Sequence, residues 1–236
     1  MPTKTSAALP QDFGHPHLLE DYTPVPQPTI TTKICAVCHA SAPHTLCSKC
    51  RNIRYCSTSC QELDWKLHKV VCKHYIEATA QTRCPSSRRV LYFHPLASKP
   101  TFTDIPFGPD GTVYGLSEHL FPGVPDADIK RLSFHDRFLP YFIQLAYDTN
   151  PDKKRELEEN RSLGRPFRGP VVALAYDAET GLSAPALDVD TTIMRPLMQY
   201  VELRREYDGP IFVEQPQKRY TKGEWKAIMG DDAGCV

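Results

Sequence analysis

Cys35-Ala-Val-Cys38, Cys47-Ser-Lys-Cys50, Cys56-Ser-Thr-Ser-Cys60 and His68-Lys-Val-Val-Cys72 lie within 38 consecutive residues of a 236-residue chain. The chain has nine cysteines, and seven of them fall in this stretch; Cys84 and Cys235 stand apart. Two residues between cysteines let a tight turn aim both sulfurs at one ion, with Zn–S near ~2.3 Å. Cys56 and Cys60 are four apart, as are His68 and Cys72; on a helix this spacing puts His68 and Cys72 on one face, where they can share a metal. Eight ligands in four pairs suit two tetrahedral zinc sites. A disulfide framework would need an oxidising compartment, and the stretch Met1–Gly14 has no apolar core of the signal-peptide kind, so the expected location is intracellular, in nucleus or cytoplasm. Spacing alone leaves the pairing open: two sequential sites would use the same ligands as two interleaved ones. His39, His44 and His74 lie close by and read as loop or helix-end residues.

A helix is expected over Gln61–Lys73, where neither Gly nor Pro occurs and Leu63, Leu67, Val70 and Val71 form an apolar stripe. Ser57, Thr58 and Ser59 stand ahead of it as caps.

The order Cys-x2-Cys-x8-Cys-x2-Cys-x5-Cys-x3-Cys-x7-His-x3-Cys resembles the MYND-type zinc finger. So do the fillers Tyr55-Cys56-Ser57, Cys60-Gln61, Asp64-Trp65 and His68-Lys69. RING, LIM and PHD fingers place their histidine nearer the middle of the ligand series, and the HIT-type finger lacks the Asp-Trp pair. The resemblance covers Cys35–Cys72. It implies interleaved ligation, with Cys35, Cys38, Cys56 and Cys60 on one zinc and Cys47, Cys50, His68 and Cys72 on the other. It also implies binding of proline-rich peptides through Ser48, Gln61 and Trp65. Gln61 can hydrogen-bond an extended backbone, and Trp65 offers a flat apolar face to prolines.

Sites with four protein ligands are closed, so both zincs are expected to be structural. A module of ~40 residues buries too little apolar surface to fold alone, and zinc supplies ~10–16 kcal/mol per site. A chelator should therefore unfold residues 31–75. This module carries seven Lys/Arg against Glu62 and Asp64, a balance of +5. Thiolate ligation brings −2 at a four-cysteine site and −1 at a three-cysteine, one-histidine site, leaving about +2 on the loaded finger. With 28 basic and 28 acidic residues in the whole chain, a nucleic-acid surface is not expected. The longest purely apolar stretch, Val171–Tyr176, is far short of the ~20 residues of a membrane helix.

Residues 1–30 hold six prolines and read as an extended, flexible segment ending in Thr23-Pro-Val-Pro-Gln-Pro28. Residues 76–89 read as a linker that carries Cys84 as a free thiol. Residues 90–230 are expected to be a separate α+β domain of about 140 residues, of no recognised family, with 231–236 as a tail; the chain as a whole is α+β. Strands are expected at Val90–Phe93, Val171–Tyr176 and Ile211–Glu214, with a Pro-Asp-Gly turn in Phe107–Tyr114 leading into another. Arg137–Tyr147 fits helix or strand. Asn150-Pro151 reads as a helix start before the charged run Lys153–Glu159. Met194, Leu197, Met198 and Val201 mark an amphipathic helix, and Lys222–Met229 a short one. Asp188 and Asp190 could pair for metal binding or acid catalysis; a turn and a helix cap are the simpler reading.

Some MYND fingers sit inside SET methyltransferases. This chain speaks against that reading: only 34 residues precede Cys35, they hold the single glycine Gly14, and none of Asn52, Asn150 and Asn160 precedes a histidine. There is no G-x-G-x-x-G, phosphate loop, G-x-S-x-G or H-E-x-x-H. The expected function is a zinc-binding, non-enzymatic adaptor for proline-rich protein segments, in transcriptional or protein-turnover regulation. The rival is an enzyme in residues 90–230 with the finger as its targeting module.

Overall fold

The structure is a computed structural model that describes residues 33–40, 43–108, 120–121, 128–132, 139–148, 150, 154–164, 167–178 and 180–206. The expectations at Pro109–Tyr114, Ile211–Glu214 and Lys222–Met229, and those for residues 1–30 and 231–236, lie outside these residues.

The finger opens with a small antiparallel ladder in which β1 (Thr45–Leu46) pairs with β2 (Arg54–Tyr55). Helix α1 follows, Thr58–Thr79. Ser57 is its N-cap: the backbone is extended there and the hydroxyl accepts from the Cys60 N–H at 3.2 Å. The helix outruns Gln61–Lys73 at both ends and takes up the first residues of the 76–89 segment. Its inward face carries Asp64, His68, Val71 and Cys72, all buried. Leu63 is a correction to the expected stripe, since it is 65% exposed. By helical spacing it shares the face of Leu67 and Val70, themselves only half-buried, but lies one turn nearer the N-terminal end of the helix.

The larger part is a five-stranded sheet in the order β4-β3-β7-β6-β5, antiparallel at every junction. Its strands are β3 (Ser87–Phe93), β4 (Thr101–Pro106), β5 (Asp128–Leu132), β6 (Tyr141–Tyr147) and β7 (Val171–Asp177). Central β7 is buried from Val171 to Tyr176, because both of its faces are covered. On one face Leu91, Phe93, Ile143, Leu145, Val171, Ala173 and Ala175 join a core with Leu197 and Val201 of α2 (Met194–Glu206). On the other, Val90, Phe142, Ala146, Val172 and Leu174 meet Ile105, Phe107, Phe121 and Ala186. The period-2 alternation of strand side chains assigns neighbouring residues to opposite cores.

Helix α1 shares the first of these cores. Val71 is fully buried in it, and Leu67 and Val70 lie against it. The finger's helix therefore has two occupied sides, one on the metal ligands and one on the sheet domain.

Two expectations change. Residues 154–164 form turns and an isolated bridge, Glu159 to Arg168, not a helix. Asn150 stands at φ +45°, which is not the extended conformation of an N-cap; its side chain accepts from the Arg155 N–H and donates to the Arg155 carbonyl. The Arg155 guanidinium grips Asp148 at 2.6 and 2.7 Å, closing the loop. Asp188 and Asp190, in turn, take the structural reading. Asp190 caps a 3-10 turn at Thr191–Ile193 by accepting from the Thr192 N–H. Asp188 accepts from Arg83 at 2.6 Å and from the Arg89 N–H at 2.9 Å.

Candidate metal centres and the finger surface

Each C-x2-C pair is held by the same backbone turn. The His39 N–H donates to the Cys35 carbonyl at 3.0 Å, and the Arg51 N–H to the Cys47 carbonyl at 2.9 Å. The residue after each second cysteine stands in the left-handed region, His39 at φ +58° and Arg51 at φ +52°. This conformation favours glycine and costs a larger residue on the order of 1 kcal/mol. It wraps the turn so that backbone amides face the first sulfur. Burial alone would raise the Cys35 thiol, but amides of Cys38, Val37 and Cys56 outweigh it and bring the pKa down to about 7. Cys47 is lowered the same way: burial opposes, and the amides of Cys50 and Lys49 prevail.

Cys56 stands between β2 and the N-cap Ser57, and α1 carries the remaining three ligands into place. Cys60 lies in its first turn; His68 and Cys72 lie one turn apart on its inward face. The result is two clusters, Cys35, Cys38, Cys56 and Cys60 in one, and Cys47, Cys50, His68 and Cys72 in the other. Within each cluster the ligand atoms lie within 4.8 Å of one another. The pairing is interleaved, as the resemblance implies. His39, His44 and His74 belong to neither cluster, and neither does Cys84.

The donor sets fit zinc. With Zn–S near 2.3 Å and Zn–N near 2.05 Å, tetrahedral geometry puts sulfurs about 3.8 Å apart and nitrogen about 3.5 Å from sulfur. Observed separations are 3.4 Å for Cys38–Cys56, 3.6 Å for Cys56–Cys60 and 4.0 Å for Cys47–Cys72. The His68 Nε2 is 3.3 Å from the Cys47 sulfur and 3.6 Å from that of Cys50. Charge supports the same conclusion. Crowding by the sulfurs of Cys38, Cys60 and Cys35 pushes Cys56 up to about 12. Burial together with the charges of Cys50 and Cys47 pushes Cys72 up to about 12. Such a set becomes a set of thiolates only around a cation. Burial, opposed by Asp64, lowers the pKa of His68 and keeps it neutral, the form that ligates. With two zincs bound, all four positions on each ion are taken by protein, so the ions hold shape and offer no open position to substrate.

A buried polar chain ties these centres to the sheet domain. The Tyr55 hydroxyl donates to Asp64 at 2.8 Å; this carboxylate, after burial, raises the pKa of Tyr55. Arg195 of α2 approaches the other Asp64 oxygen at 3.5 Å and donates to the Leu63 carbonyl at 3.3 Å. Asn52, just past the second knuckle, donates to Asp190 at 3.1 Å and accepts from both the hydroxyl and the N–H of Thr191. Sequence reasoning missed Asn52 and Asp64 in these roles, since their partners lie 138 and 131 residues away.

The three peptide-contact candidates stand clear of these joints. Ser48 is exposed, Gln61 half-buried, and Trp65 41% exposed with its ring 6.3 Å from that of His68.

Two interleaved four-ligand centres, a short ladder and a ligand-bearing helix define a cross-braced structural zinc finger. Residues 35–72 match the family of the MYND finger, and this stretch is a MYND finger, a module that commonly serves protein interaction. Its similarity to curated proteins is short. It is 67% identical over 27 residues to SET domain-containing protein 14 of Caenorhabditis elegans, covering 11% of this chain and 6% of that one. It is 47% identical over 45 residues to ubiquitin carboxyl-terminal hydrolase 19 of Arabidopsis thaliana, covering 19% and 6%. With SET domain and MYND-type zinc finger protein 6 of Schizosaccharomyces pombe it shares 36% over 61 residues, covering 25% and 13%. The chain thus spans 6–13% of the length of these relatives, and the likeness lies on the finger alone. No solved structure matches.

Proposed function

We propose that this chain is a non-enzymatic adaptor whose finger takes proline-rich segments of other proteins through Ser48, Gln61 and Trp65, inside the cell, in transcriptional or protein-turnover regulation. The observation that carries this reading is the exposure of Trp65. Its helix is occupied on one side by metal ligands and on another by the sheet core, yet the largest aromatic ring of the finger remains at the surface. An apolar ring beside a half-buried amide suits prolines in an extended helix, whose cost of ordering is already low.

The rival enzyme in residues 90–230 has one observation behind it, a cavity of about 440 Å3 where finger and sheet domain meet. Its two carboxylates, Asp188 and Asp190, are committed to Arg83 and to Thr192 and Asn52. That makes them structural acceptors, and the binding reading is preferred. Trp65→Ala tests it. The variant should keep both zincs and its melting temperature while losing a labelled proline-rich peptide in a fluorescence anisotropy titration. Unchanged affinity would remove the assignment.

A further inference from the structure

The cavity between finger and sheet domain lies where the chain enters the finger. Its sheet-domain side is apolar, with Leu187, Val189 and Ile193 among the lining. Its charges balance, since Lys33 and Arg54 stand against Asp188 and Asp190. Asp188 is paired with Arg83, and Asp190 accepts from the neutral donors Asn52 and Thr192. A balanced lining gives a charged occupant no net attraction, and burying a charge without a partner is costly. The occupant that suits this cavity is therefore uncharged and partly apolar.

The chain itself supplies one. Lys33, Ile34 and Ala36 line the cavity, so the residues just before Lys33 are attached at its wall. They read Thr23-Pro-Val-Pro-Gln-Pro-Thr-Ile-Thr-Thr32 and carry no charge; acidic residues begin only at Asp21 and Glu20. Val25 and Ile30 add apolar bulk between and after the prolines. An extended residue advances ~3.3–3.6 Å, so Ile30 can reach roughly 10 Å from Lys33. That reach suits a cavity of about 440 Å3, a volume within the range of ligand-sized sites. Prolines have little backbone freedom to lose on docking. A short tether also holds the segment at an effective concentration of the order of millimolar, so weak apolar contacts suffice. We propose that residues 23–32 dock in this cavity, with Ile30 against Leu187 and Val189, and that the chain's own proline-rich segment thereby seals the joint between finger and sheet domain. This docking is independent of the Trp65 reading, because none of Ser48, Gln61 and Trp65 lines the cavity.

The test uses the full zinc-loaded chain with isotope-labelled isoleucine, leucine and valine methyl groups. Nuclear Overhauser contacts should join the Ile30 methyl groups to those of Leu187 and Val189. Ile30→Asp should abolish the docking and shift the Leu187 and Val189 methyl signals, with zinc content unchanged. If Ile30→Asp loses zinc, Ile30→Ser supplies the same comparison. A free peptide of residues 23–32 is then titrated into chains that all carry Trp65→Ala, so that the Trp65 face takes no part. It should bind the Ile30→Asp chain about tenfold more tightly than the chain that keeps Ile30, where the tethered copy competes. Absence of contacts between Ile30 and the cavity overturns the proposal, and so does equal peptide affinity for the two chains. Contacts from Ile30 to the Trp65 ring would assign the segment to that face. Contacts that join only differently labelled copies would assign the cavity to a second molecule. Either result removes the docking within one chain.

Discussion

Finger and sheet domain are stabilised by different physics. The finger's own apolar cluster is Ile53 and Tyr55 with the ligands Cys47 and Cys72, so two of its four buried members are metal ligands. The sheet domain buries whole strands, with β7 closed on both faces. A metal-held structure is lost abruptly when its ligands are protonated or its ion removed, whereas a packed core weakens by increments. Val71 makes the difference instructive, because it belongs to the finger's helix and to the sheet's core at once. Through it, and through Asn52 and Asp64, the abrupt failure of one region becomes a cost to the other.

Chelation should have the largest effect. Removing both zincs from the full chain forfeits folding energy on the order of 10 kcal/mol per site. We expect loss of helicity over residues 31–75 and, beyond the finger, a lower melting temperature for the sheet domain, read by hydrogen exchange at β3 and β7. Full protection of those strands in the chelated protein would break the link drawn here. Cys72→Ser should reproduce the effect in part, with two zincs per chain in the parent by elemental analysis and fewer in the variant.

Val71→Ala removes two methyl groups from the shared core and should cost about 2 kcal/mol in denaturant unfolding. Asn52→Ala takes away hydrogen bonds to the half-buried Asp190 and the buried Thr191, for about 1–2 kcal/mol. It should also shrink the shift that chelation causes in the sheet domain, a coupling that a double-mutant design measures directly.

Acid separates the two regions. Zinc ligands must be deprotonated, so the finger should release its metal as pH falls through the mildly acidic range. In the sheet domain Asp148 is 1% exposed, and the Arg155 guanidinium holds its carboxyl below the usual range. A depressed folded-state pKa means that the stability from this ion pair is fully present above the ordinary carboxylate pKa of about 3.9, and is lost only as pH falls through the lower folded value. Zinc release monitored by a colorimetric chelator should therefore precede loss of the Asp148–Arg155 contribution, which Asp148→Asn isolates. The smallest effect is expected at Leu63→Asp, within about 0.5 kcal/mol, because the side chain is 65% exposed.

How far the chain could be read beforehand follows from the range of its interactions. The ligand spacing is local, so the eight cluster residues, their helix and its Ser57 cap were legible. The same holds for β7, a continuous apolar run, and for α2, whose Met194, Leu197, Met198 and Val201 recur at helical spacing. Leu63 departs from its expected place because helical spacing fixes the face of a residue, which it shares with Leu67 and Val70, but not how far along the helix the covering core extends. The Asn150-Pro151 start failed because Arg155, five residues on, offers Asp148 a bidentate pair and Asn150 two backbone bonds. Strands β4 and β5 were passed over, since only Ile105 among the residues of β4 is buried. That α1 and α2 share one core was beyond reading: Val71 and Leu197 are far apart in sequence and come together only once the sheet exists.

The interleaved ligation has a consequence for synthesis. A nascent chain offers its last zinc ligand at Cys72, but Leu197 and Val201, which share a core with Val71 of the same helix, emerge more than a hundred residues later. A completed finger would meanwhile present Leu67, Val70 and Val71 to solvent, the kind of surface that chaperones recognise on unfinished proteins. The early part of this molecule is thus ready for metal before the surface that shelters its helix has been made.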